Sequence, residues 1–183
     1  MPIFGVTASS NMTTKLTDFY QIATTTATGS TADVTFSSIS QDYTHLQLRM
    51  IIKNHTANTN QTRIQFNSDT ASNYSWHQLR GDGASATSSA GTSTAFSFVG
   101  NHPSTAVASA FAVYVVDILD YKDTNKYKTI RSLGGYDLNN TDGNVFMNSS
   151  NWRSTSAVST IRIYPGADSF GQYSSFQLYG VKA

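Results

Sequence analysis

Two aspartates, Asp117 and Asp120, sit in the most apolar stretch of the chain, AFAVYVVDILDY (110–121). Paired carboxylates in such a setting are the equipment of a glycosidase, one kept protonated as acid and the other ionised. Their spacing argues against that use. Successive side chains of a strand point to opposite faces, so an odd spacing separates the two unless a bulge lies between them. The expectation is a buried, hydrogen-bonded Asp117 and a strand-end Asp120.

Metal chemistry finds little more. His45, His55, His77 and His102 are far apart and show no His-x-His or His-x₃-His spacing. His45 and His77 both fall in strand-like runs and would need to meet across a ladder, with an Asp as third ligand. DLNNTDG (137–143) has a faint likeness to a calcium loop, but its oxygens fall at the wrong offsets. The closing Glu is unavailable, because every acidic residue is Asp. Serines are abundant without a Gly-x-Ser-x-Gly elbow, and no glycine-rich phosphate loop opens a helix. The chain therefore reads as a non-enzyme, with no catalytic, cofactor-binding or metal residue to name.

Three further signals need weighing. Lys122, Lys126, Lys128 and Arg131 interleave with Tyr121 and Tyr127. Such a cluster suits nucleic acid or an acidic surface, but the simpler expectation is a solvated hairpin face with Lys126 and Lys128 on one side. Arg80-Gly81-Asp82 matches a cell-adhesion tripeptide, yet it follows an alternating strand, and Gly81 and Gly83 suit a turn. The turn reading is preferred. Asn-x-Ser/Thr sequons at Asn11, Asn54, Asn60, Asn73, Asn139 and Asn148 are expected by chance in so Asn-, Ser- and Thr-rich a chain.

The elements that would position these residues are strands. In THLQLRMII (44–52), Leu46, Leu48, Met50 and Ile52 share one face, a period that a helix would scatter. FYQIATT (19–25), DVTFSSI (33–39), TRIQF (62–66) and NYSWHQL (73–79) alternate likewise. So do KYKTIRSL (126–133), the short VFM (145–147), AVSTIRIYP (157–165) and SSFQLYGVK (174–182). The polar KDTN (122–125) predicts a hairpin between its neighbours. ASATSSAGTSTA (84–95), small and polar, is expected to be an exposed loop, as is GGYDLNNTDGN (134–144). Nine or ten short strands without a helix predict an all-β antiparallel β-sandwich of jelly-roll type. Most of the ten Tyr, ten Phe and two Trp are expected to fill it.

Composition agrees. The 183 residues suit one domain: residues 1–15 are expected to be an N-terminal arm or extended segment, and 16–183 a single β-sandwich. Only 13% of residues are charged and none is Glu, which favours strand over helix. A net charge of +1 with dispersed basic residues predicts no nucleic-acid partner. The absence of cysteine rules out disulfides and thiolate sites, leaving burial or an oligomeric interface to hold the fold. No leader or membrane-spanning run is evident, so no membrane partner is expected.

Five phrases, YTHLQLRM, IQFNSDTASNYSWHQLRGDG, DILDYKDTNKYKTIRSLGGYD, WRSTSAVSTIRIYP and FGQYSSFQLYGVK, together resemble a family of small structural virion proteins of tailed bacteriophages. The resemblance spans roughly residues 17–182. It implies a β-sandwich built into the particle, assembled in the bacterial host cytoplasm and without enzymatic activity. Such proteins often act as capsid decoration or cement proteins that bind and stabilise the major capsid protein shell, commonly as a homotrimer. Others belong to the tail, baseplate or receptor-binding parts and recognise glycans. No functional residue is carried over. The arm at 1–15 would strap the protein to the shell or to a neighbouring copy, or be a disordered terminus.

Overall fold

A computed structural model describes residues 18–56, 58–104, 109–139 and 142–182. The arm expected at 1–15 lies outside them. The described residues form twelve strands: β1 (Phe19–Thr26), β2 (Val34–Phe36), β3 (His45–Ile52), β4 (Asn60–Phe66), β5 (Tyr74–Gly81), β6 (Ala86–Thr94), β7 (Ser97–His102), β8 (Ala112–Leu119), β9 (Lys128–Asp137), β10 (Gly143–Trp152), β11 (Ile161–Pro165) and β12 (Ser175–Val181). They make two antiparallel sheets packed as a sandwich. One has eight strands in the order β1-β12-β3-β8-β9-β10-β5-β6; the other has four, β2-β11-β4-β7.

β1-β12-β3-β8 and β2-β11-β4-β7 taken alone exchange strands between the sheets as two Greek keys would, an order compatible with a jelly roll. The remaining strands are two hairpins, β5–β6 and β9–β10, which widen one sheet from four strands to eight.

Alternation decides which residues enter the core. Even-numbered residues of β3 and β8 (Leu46, Leu48, Met50 and Ile52; Ala112, Tyr114, Val116 and Ile118) are buried against Ile64, Phe66, Ile161 and Ile163 of the smaller sheet. Each fully buried aliphatic or aromatic side chain contributes about 1.5–3 kcal/mol. Phe66, Tyr74 and Trp152 form an aromatic knot at one end, with Tyr74 and Trp152 stacked at 6.2 Å. Ser132 and Asn148 enter the core as a polar latch. Both donate to the Val99 carbonyl of β7, at 2.7 and 2.5 Å, and so join the sheets.

Three expectations need correction. Residues 86–94 are not a loop but β6, an exposed edge strand paired to β5 from Tyr74↔Thr94 to Gly81↔Ala86. Its ladder of backbone hydrogen bonds substitutes for the apolar burial that its side chains lack. The loop expected at 134–144 is shorter, because β9 runs on to Asp137 and β10 begins at Gly143. β10 also extends to Trp152, since its inward Asn148 and Ser150 break the apolar pattern while remaining in the ladder. β7 gave no alternating signal, because nearly all its side chains are buried.

Candidate interaction surface

The residues first considered for chemistry are dispersed or already engaged. Asp117 lies on the outer face of the eight-stranded sheet, partly exposed, where it accepts from Gln47 Nε2 at 2.9 Å and Arg131 at 2.8 Å. Burial works to raise its pKa. Those two hydrogen bonds, with the charges of Arg131 and His45, prevail and hold it below the usual carboxylate range. A general acid needs the opposite shift. Alternation stops at Leu119, and Asp120 turns left-handed (φ 50°) just beyond. Its N–H donates to His45 Nδ1 at 2.9 Å, and its carboxylate accepts from Lys126 at 3.0 Å.

His45 and His77 lie on β3 and β5, four strands apart in the sheet, or about 19 Å at the usual strand spacing. His55 is exposed, while His102 is buried in β7 with Nδ1 2.9 Å from Thr62 Oγ1. Among the described residues no three His, Asp, Glu or Cys side chains converge as a metal site requires. In DLNNTDG, residues 140 and 141 lie outside the described residues, and Asp137 instead caps the Asn139 N–H at 2.7 Å.

The basic cluster is largely consumed within the fold. Lys128 is a correction to the solvated-face reading: it begins β9 on the inner face and is fully buried. Its ammonium donates to the carbonyls of Asp123, Lys126 (2.9 Å) and Thr155 (3.3 Å). Desolvation pushes its pKa down, against the pull of Asp123 and Asp120. Lys126 pairs with Asp120 and Asp123, Arg131 with Asp117, and Lys122 with the Gln41 carbonyl. Tyr121 is buried, and its hydroxyl donates to the Ser40 carbonyl.

Arg80-Gly81-Asp82 closes the β5–β6 hairpin. Arg80 and Gly81 are still strand, Arg80 donates to Asn144, and the Asp82 carboxylate caps Ala84 and Ser85 N–H at 3.0 and 2.7 Å. Gly83, at φ 88°, takes the left-handed turn position. Both charged groups of the tripeptide are thus used locally. A shallow cleft of about 290 Å³ lies beside this turn, lined by Asp82, Tyr136, Asp137, Asp142, Asn144 and Val145. Of the sequons, Asn54 and Asn148 are buried, and Asn60 and Asn73 bond Ala167 and Asp69.

What the molecule does present is an apolar face. On the outer side of the eight-stranded sheet, Ile51, Val113, Val115, Leu133, Val145, Met147 and Leu79 are all exposed, Val145 by 63% and Leu133 by 57%. Register makes them contiguous. One row runs Ile51–Val113–Gly135–Val145–Gly81, and the next Arg49–Val115–Leu133–Met147–Leu79. A polar row, Gln47–Asp117–Arg131–Ser149–His77, borders them. The stripe crosses five adjacent strands, and its centre stands on the added hairpin β9–β10.

Beside Leu133 the glycines leave an apolar hollow of about 480 Å³, lined by Leu133, Gly134, Gly135, Tyr136 and Val145. A Cβ at Gly135 would collide with the Asn144 carbonyl, so no larger residue fills it. Isolated exposed apolar residues are ordinary, whereas a contiguous band of this size marks a contact surface. The sequence did hold a signal for it: AFAVYVVDIL is apolar at nearly every position, as strands covered on both faces are.

No family model, curated protein or solved structure matches the chain. Among the described residues no helix is long and apolar enough to cross a membrane. The surface itself must therefore carry the functional reading.

Proposed function

We propose that this chain is a non-enzymatic structural protein of a bacteriophage virion, a capsid decoration or cement protein that binds the major capsid protein shell as an oligomer. The observation that carries an assembly role is the seven-residue apolar stripe on a sheet face that no other described residue covers. The phage setting rests on the resemblance of the five sequence phrases. Cement proteins gain affinity from many weak contacts repeated over a lattice, and a rigid disulfide-free sandwich with one sticky face suits that task. The trimer that the resemblance implies is one arrangement that would cover the stripe.

The test is stoichiometry in purified particles, by quantitative mass spectrometry against the major capsid protein. A copy for every few shell subunits is the expected result. A handful of copies per particle would move the protein to the tail, baseplate or receptor-binding apparatus, the alternative reading. Cleavage of host polysaccharide by the isolated protein, abolished by Asp117→Asn, would overturn the non-enzymatic reading.

A further inference from the structure

We infer that the apolar stripe is covered by a second copy of this chain, packed face to face about a two-fold axis that crosses β9 at Gly134. The inference rests on the reading that this face is covered in the assembly, and it names what covers it.

β9 is complementary to its own reverse. Its outward residues are Thr129, Arg131, Leu133, Gly135 and Asp137. A two-fold axis in the interface plane, perpendicular to the strands at Gly134, lays this strand over its own reverse. Leu133 then stands over the Gly135 hollow of the second copy, knob opposite hole, and the contact is made twice by symmetry. The same operation places Val145 over Met147, Val113 over Val115, and Leu79 over the bare Gly81. Large meets small at Leu133–Gly135 and Leu79–Gly81, Val113–Val115 and Val145–Met147 set apolar side chains against each other, and at the β3 end Ile51 lies over the Arg49 stem.

Charge favours the same geometry. Arg131, held at 2.8 Å by Asp117 of its own sheet, still exposes 65% of its side chain, and it and the exposed Asp137 lie three residues to either side of the axis. In the antiparallel arrangement each Arg131 faces the other copy's Asp137. An axis parallel to the strands would set Arg131 over Arg131 and Asp137 over Asp137, so the charges select the first geometry. Facing sheets cross at about 30° and lie about 10 Å apart. At Arg131 this twist displaces the partner by roughly 5 Å, within reach of an arginine.

The patch is also large enough. Five strands at about 4.8 Å, and the two apolar rows with a polar row on either side at about 7 Å each, give roughly 25 by 25 Å. Its corrugated accessible area approaches the ~800 Å² per partner of a stable pair. The seven exposed residues of the stripe are all non-aromatic and carry no hydrogen-bond donor in their side chains, which suits an apolar partner face better than glycan or nucleic acid.

The experiment exploits the absence of cysteine. Arg131→Cys and Asp137→Cys variants are prepared separately, then mixed and treated with a short bis-maleimide matched to the ~10 Å sheet spacing. The expected result is a covalent dimer in the mixture and none in either variant alone, because like positions lie about 20 Å apart along the strand. Cross-linking of either variant with itself would overturn the antiparallel axis. Sedimentation of the untreated protein should show twice the 19.9 kDa chain mass, and Leu133→Asp should reduce it to one chain with an unchanged melting temperature. A monomer or a stable trimer at ~100 µM, far above the dissociation constants usual for such areas, would overturn the pairing. Particle occupancy is read separately: a monomer that still coats the shell defeats this inference alone, whereas a dimer absent from the shell defeats the capsid reading alone.

Discussion

Replacing Lys128 by Met tests whether a buried charge holds the β8–β9 turn. Methionine keeps the length and bulk of the side chain but removes the ammonium. That ammonium ties three carbonyls, of Asp123, Lys126 and Thr155, and so joins the turn at 120–127 to the segment after β10. Hydrogen bonds from a charged donor contribute about 1.5–3 kcal/mol each. Three of them outweigh an effective desolvation penalty of several kcal/mol for the buried ion. The net loss in Lys128→Met is then about 2–4 kcal/mol, including the cost of leaving carbonyls without a donor. For a domain of this size that corresponds to a fall in melting temperature of roughly 4–16 °C. Urea unfolding followed by tryptophan fluorescence gives the free energy directly, since Trp152 lies in the core. A loss below about 1 kcal/mol, or a gain, would refute the reasoning. It would mean that an apolar side chain satisfies the site as well as the ion does.

Other consequences follow from particular contacts. His102 is buried, and its pKa is pushed down to about 3 against an ordinary value near 6.5, so the unfolded chain binds the proton more readily. Its contribution is complete above about pH 6.5 and is lost as pH falls toward 3, costing on the order of 5 kcal/mol. Stability measured against pH should flatten over that window in His102→Asn, and an unchanged slope would assign it to other groups. Gly91→Val places a Cβ 2.5 Å from the Trp76 indole. It should displace that ring from Phe98, shift its fluorescence, and cost about 1–3 kcal/mol. Asn148→Ala removes the latch to Val99 and Ser132 and should cost about 2 kcal/mol by the same unfolding assay. An effect within experimental error would show that water replaces it.

The sandwich was legible wherever burial is one-sided. β3 and β11 alternate cleanly because one face meets the core and the other does not; β3 lies where the sequence places it, whereas β11 fills only 161–165 of the expected 157–165. β6 was illegible because an edge strand of Ser, Thr, Ala and Gly is held mainly by backbone pairing, which leaves no apolar pattern in side chains. Lys128 misled for a different reason. At the start of β9 its parity is that of Ile130 and Ser132, but a lysine there suggests solvent unless the carbonyls that bind it are known. Asp120 shows the limit of counting by twos, since a single left-handed residue ends the alternation. The interaction face was half legible. Apolar residues on both parities of β8 were visible, but Leu133, Val145, Met147 and Leu79 became one surface only when β9, β10 and β5 took their places beside it.

The most direct test of the central claim is a particle image at a resolution that traces the chain. The account predicts this sandwich on the capsid shell in many copies, with the outer face of its eight-stranded sheet covered in every copy. A chain found away from the shell, or bound there with Leu133, Val145 and Met147 open to solvent, would contradict it.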